Sequence, residues 1–166
     1  AGMAEKSIAE RLQPSLLDRL TDDAPDEATE SRESRVIDLR RLRRIVLRDL
    51  SWLFNTTAFE SVQDLSAYPE ARRSVLNYGV PDIAGIGATH SFAVGLLRAL
   101  RRTVEVYEPR IIPGTLEISI PDESRDMEAV VLFDIRGELW AHPMPIELYM
   151  RTQVNVASGD IAVQDG

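Results

Sequence analysis

Apolar residues recur three and four positions apart over residues 35–54, where Leu39, Leu42, Val46, Leu50 and Leu53 share one side of a helical wheel. Ser34 is a candidate N-cap, and Asn55 followed by two threonines is a candidate stop. Arg40, Arg41, Arg43, Arg44 and Arg48 fall mostly off that stripe, which reads most simply as a solvated face. A second helical stripe over residues 89–107 consists of Ala93, Leu96, Leu97, Leu100 and Val104, with Arg98, Arg101 and Arg102 outside it and Pro109 as its stop. The stretch between the two, 55–88, is rich in loop formers. Within it Pro69 and Glu70 open a short helix to about Leu76, and Asn77-Tyr78-Gly79 ends it.

After Pro113-Gly114 the period changes from helical to alternating. Leu116, Ile118 and Ile120 alternate with polar neighbours, and 129–136 is a second, more buried strand that Gly137 is expected to end. Ile146, Leu148, Met150, Thr152, Val154 and Val156 mark one long strand, and 161–164 a short last one. Helices first and antiparallel strands after predict an α+β fold: amphipathic helices packed on a small antiparallel sheet that ends in a C-terminal edge hairpin. Acidic residues and the shortness of the last strand would guard that edge.

The amino-terminal part has a different texture. Residues 7–20 form a short apolar island in which Leu16, Leu17 and Leu20 would share one face of a helix opened by Pro14. Such a helix is too short to stand alone. It is either a terminal helix packed on its own core or a docking peptide that orders on a partner. Residues 21–34 contain no large apolar side chain and read as an acidic linker. The division expected is therefore a docking segment and linker over 1–34, and one domain over 35–166.

Composition narrows the chemistry. The chain has 166 residues and no cysteine, so thiol catalysis, disulfides and thiolate metal sites are excluded. No apolar run reaches the roughly 20 residues of a membrane span, and no leader pattern is seen, so a cytoplasmic protein without membrane insertion is expected. All but one of the 19 basic residues are arginine. Net charge runs −5 over 1–34, +4 over 35–110 and −7 over 111–166, for a total of −8. An acidic protein with a basic middle suits an acidic protein partner better than nucleic acid, because arginine forks match carboxylates and phosphate binding needs summed positive potential. His90 and His142 have no ligand-spaced partner, and no nucleophile elbow, phosphate loop or dinucleotide fingerprint is present. Gly85-Ile86-Gly87 is only half of such a fingerprint. Catalytic, cofactor and metal residues are thus expected to be none. One short stretch remains: Tyr107-Glu108-Pro109-Arg110, at the junction of the last helix and the first strand. It is either a helix end with an ordinary ion pair, worth little if exposed, or a rigid presentation of Glu108 and Arg110 to a partner.

Four segments in order carry a resemblance. Pro14-Ser15-Leu16-Leu17-Asp18-Arg19-Leu20, Leu47-Arg48-Asp49-Leu50 with Leu53-Phe54-Asn55-Thr56, Ser74 through Asp82, and Tyr107-Glu108-Pro109-Arg110 resemble the TssE family of type VI secretion baseplate subunits, which is similar to the lysozyme-like baseplate protein of contractile phage tails. Thr57 stands where family members often have arginine. The resemblance covers about residues 35–164. It implies a structural, non-enzymatic baseplate subunit that joins the wedge proteins TssF and TssG to the sheath of TssB and TssC, and initiates sheath assembly, with TssK as a possible further neighbour. It implies that Glu108, Pro109 and Arg110 contribute to the wedge contact, and that the C-terminal strands accept a sheath strand; with Tyr107 of the same junction, and Leu16, Leu17 and Leu20 of the docking-peptide reading, these are the expected partner-binding residues. The alternative from the lysozyme-like label is a peptidoglycan-cleaving hydrolase, for which the sequence marks no carboxylate pair.

Overall fold

The structure, a computed structural model, describes residues 15–21, 39–84, 89–122, 129–141 and 144–166. Among these residues four α-helices come first: α1 Leu16–Leu20, α2 Leu39–Phe54, α3 Pro69–Arg72 and α4 His90–Tyr107. Four strands follow: β1 Glu117–Ser119, β2 Val130–Leu139, β3 Ile146–Asn155 and β4 Ile161–Asp165. They form one antiparallel sheet in the order β1-β2-β3-β4, so the fold is α+β and β4 is an edge.

The core lies between the two long helices and one face of the sheet. Leu42, Val46, Leu50, Leu53 and Phe54 of α2 meet Ala93, Leu96, Leu100 and Val104 of α4 over Phe133, Ile135, Leu148, Met150 and Val154. The register pairs Phe133 with Thr152 and Ile135 with Met150, which sets one row of buried side chains across the two central strands. The opposite face pairs polar groups: Arg151 Nε reaches Asp134 Oδ1 at 2.9 Å, and Arg136 stacks on Tyr149.

Several local expectations are corrected. Gly137 does not end β2, which continues to Leu139. A Cβ on Gly137 would lie 3.3 Å from Ile111 Cγ2, so the glycine lets the chain entering the sheet cross closely over the strand. The helix expected from Pro69 to Leu76 breaks after Arg72, and a separate 3-10 turn covers Val75–Asn77. The Ser74 hydroxyl accepts from Leu76 N–H and so starts that turn instead of continuing the helix. Leu39 is exposed, and the buried side of α2 includes Ile45 and Phe54. Ser34, the glycines at 85 and 87, and His142 lie outside the described residues.

The connection from α2 to α4 is built by few residues. Buried Asn77 accepts Glu60 N–H through Oδ1 at 2.8 Å and donates to the Arg72 carbonyl at 3.1 Å. Arg72 in turn pairs with Glu60 at 2.6 Å. Gly79 has φ +130°, and a Cβ there would fall 2.2 Å from the Thr56 carbonyl oxygen. That close approach lets Val80 N–H donate to the Thr56 carbonyl at 2.8 Å and its carbonyl accept from Ala58 N–H at 2.7 Å, a one-residue parallel bridge between Thr57 and Val80.

Candidate interaction site

The end of α4 builds the site from a single turn. Glu108 N–H still bonds to the Val104 carbonyl, and Pro109 then takes the second place of a β-turn closed by Ile111 N–H on the Glu108 carbonyl at 3.2 Å. The turn brings Arg110 back over its own neighbour. Arg110 Nε and Nη2 grip the two oxygens of Glu108 at 2.7 and 2.5 Å, and Arg110 N–H adds a third bond to Oε1. Past the turn the chain joins β2: Ile112 N–H bonds to the Glu138 carbonyl, and Trp140 N–H to the Arg110 carbonyl.

Arg110 is also the meeting point of distant segments. Its Nη2 lies 2.7 Å from Asp49 Oδ2 on α2. Arg48, one residue earlier, holds the other oxygen of Asp49 at 2.7 Å and reaches Asp18 on α1 at 2.8 Å. Asp18 is bound as well by the Ser15 hydroxyl, which also caps α1. The result is a continuous ionic chain, Asp18–Arg48–Asp49–Arg110–Glu108, across three of the four segments that carry the family resemblance. The fourth borders it, because the Tyr78 ring stands edge-on against Tyr107, 5.4 Å between centroids.

Electrostatics follow from that geometry. Burial works against the charge on Arg110, and the bonds from Glu108 and then Asp49 outweigh it, so the guanidinium is held above its ordinary pKa. Burial also works to raise Asp18, and the Ser15 hydroxyl and Arg48 overcome it, so its carboxyl lies below the usual range. Burial, then the Asp49 and Glu108 carboxylates, push the Tyr78 hydroxyl up.

The residues expected to bind partners divide in two. Glu108 is only 4% exposed and serves inward, as the clamp on Arg110. Tyr107 is half-buried and donates its hydroxyl to the Ser74 carbonyl at 3.0 Å. Pro109 is exposed, and Arg110 is partly so, with Nη1 bonded to nothing among the described residues. Leu16, Leu17 and Leu20 are exposed at 72%, 47% and 74%, so α1 rests on its ion pair and leaves its leucines outward. The packed-terminal-helix reading is therefore set aside for residues 15–21.

Sequence reasoning missed two exposed tryptophans. Trp52 lies 4.8 Å beneath the Arg48 guanidinium and is half exposed. Trp140, 65% exposed, follows the bond to Arg110. The signal for Trp52 was its place off the apolar stripe of α2, four residues after Arg48. The arginines of α2 are also not all a solvated face. Arg48 belongs to the ionic chain, and Arg43 binds the Tyr149 carbonyl and Asp165.

Among the described residues no group of three or more metal-ligating side chains converges, and no helix is long and apolar enough to cross a membrane. The network thus joins fixed arginines to a half-exposed tryptophan, residue types enriched in protein–protein interfaces. A family model described as baseplate wedge protein gp25 matches residues 40–144, more than half of the chain. The chain belongs to this family, which is also that of TssE, and it is a component of a phage-tail-like baseplate, a structural role in which it meets other baseplate or tail proteins. No curated protein and no solved structure gives a significant match.

Proposed function

We propose that this chain is the TssE-type subunit of a type VI secretion baseplate, a non-enzymatic adaptor that joins the wedge to the contractile sheath and starts sheath assembly on the cytoplasmic side of the inner membrane. The observation that carries the wedge contact is the ionic chain ending at Arg110. Two acids fix the guanidinium while one of its nitrogens remains available, and Pro109 and the leucines of α1 lie on the outside of the same network. A fixed arginine loses little freedom when it binds, and partly buried arginine with aromatic neighbours is the usual anchor of an interface. TssF and TssG are the partners assigned to this surface, with TssK near it. The sheath proteins TssB and TssC are assigned to the C-terminal hairpin, where an edge strand can be extended by main-chain bonds.

The test is co-purification with TssF and TssG. Leu16→Ser with Leu20→Ser changes only exposed side chains and should leave the fold intact, yet weaken retention by about tenfold or more, the scale of a lost anchor. Arg110→Ala should weaken it at least as much. Because that change leaves buried Glu108 without its partner, its fold must be checked by circular dichroism. Undiminished retention of both folded variants would defeat the assignment of this surface.

A further inference from the structure

The outer edge of β4 is already partly occupied, by a side chain. In an antiparallel ladder alternate residues turn N–H and C=O toward the neighbouring strand and the others turn them away. Asn155 N–H bonds to the Asp160 carbonyl, and Gly166 N–H to the Tyr149 carbonyl, so the even-numbered positions face β3. Ile161, Val163 and Asp165 therefore turn their main-chain groups outward.

At Ile161 both outward groups are taken by Asn55. Its Oδ1 accepts from Ile161 N–H at 3.0 Å, and its Nδ2 donates to the Ile161 carbonyl at 2.7 Å. The same Nδ2 also donates to the Ser51 carbonyl at 2.8 Å, which anchors the carboxamide to the last turn of α2. Asn55 thus makes the pair of bonds that one residue of a fifth strand would make. At the other end of β4, Arg43 from the same ridge of α2 holds the Asp165 side chain at 2.8 Å and leaves its main chain alone. Among the described residues nothing bonds the outward N–H and C=O of Val163 or Asp165.

We propose that Asn55 is a register stop on this edge: an extended segment of a sheath protein pairs with Val163 and Asp165 and ends where Asn55 stands. The proposal rests on the reading that the C-terminal edge accepts a sheath strand. The residue type follows from the two bonds. Aspartate keeps the acceptor but has no hydrogen for the Ile161 carbonyl, and alanine has neither.

Residue-resolved amide exchange on the full chain, alone and saturated with purified TssB–TssC, tests it. In the free protein Ile161 N–H should exchange about tenfold more slowly than Val163 N–H, the effect of one hydrogen bond. Adding TssB–TssC should slow Val163 and Asp165 and leave Ile161 unchanged. In Asn55→Ala, Ile161 should exchange as fast as Val163 when free and slow on binding, because the pairing lengthens. Asn55→Asp keeps Ile161 N–H covered and serves if the alanine variant frays α2, with the amides of Leu100 and Phe133 reporting the fold. Unchanged Ile161 protection in folded Asn55→Ala, or no gain of protection there on binding, would overturn the stop. Val163→Pro removes one outward N–H and leaves the ladder to β3 intact. Full TssB–TssC binding by that variant would overturn the edge reading and the stop with it. Lost binding by Val163→Pro, with Ile161 protection unaltered in Asn55→Ala, would overturn the stop alone.

Discussion

Arg110 illustrates how much a single position depends on what surrounds it. Next to Glu108 in the sequence it reads as half of a surface ion pair, a kind that contributes little. In the fold it lies between Glu108 and Asp49, and Glu108 is buried. Arg110→Glu would set three acids together and is expected to unfold the junction, so it cannot report on binding alone. Gly79 is the other position where one atom decides. An alanine Cβ would meet the Thr56 carbonyl, in a backbone conformation that L residues avoid. Gly79→Ala should cost about 3 kcal/mol, from overpacking and backbone strain together, read as a lowered denaturant midpoint with unchanged slope. The Asn77-Tyr78-Gly79 run was legible as a stop, although what it ends is the 3-10 turn and not the helix from Pro69. Its second purpose, close approach to Thr56, was not, because it depends on a residue 23 positions earlier.

Among the elements, α1 is the one whose attachment can be titrated. Five residues cannot hold a helix by their own bonds, and its leucines face outward, so Asp18 on Arg48 supplies the attachment. The Asp18 pKa is depressed in the folded state, so its contribution is complete above the ordinary value of 3.8 and is lost as pH falls through the lower folded value. Protection of the Leu17 and Leu20 amides, relative to their unstructured exchange rates, should therefore be constant from about pH 5 to 8 and fall relative to α4 below the ordinary aspartate range. Asp18→Asn should show the lower protection at every pH and lack the acid step. A step of equal size in that variant would assign it to another carboxylate. The two long helices and the strands were legible because their periods are set by the chain itself. The docking of α1 was not, since it needs an arginine 30 residues away.

At the scale of the whole molecule, ion pairs among the described residues join the basic middle to both acidic ends. Arg43 and Arg48 bind acids from outside the basic segment, Asp165 and Asp18, so part of the charge imbalance is closed within the fold. The sheet is equally interdependent. β3 lies between β2 and β4 and contributes fully buried Leu148, Met150 and Val154. A chain ending at residue 144 should therefore lose its cooperative thermal transition, so it cannot separate wedge from sheath binding. Val163→Pro breaks no main-chain bond to β3 and trims one side chain at the margin of the core, so it should retain the transition at a somewhat lower midpoint.

The long helices and the strands in their order, the α+β class and the family resemblance could be read from the chain alone, because periodicity and local motifs are properties of neighbouring positions. Tertiary structure decided which of the marked residues face inward and which face out. Glu108 and Tyr107 turned to the interior, the α1 leucines outward, and Asn55 passed from helix stop to cover for Ile161. The physical reason is common to all of them: burial and hydrogen-bond pairing depend on groups that only folding brings within reach.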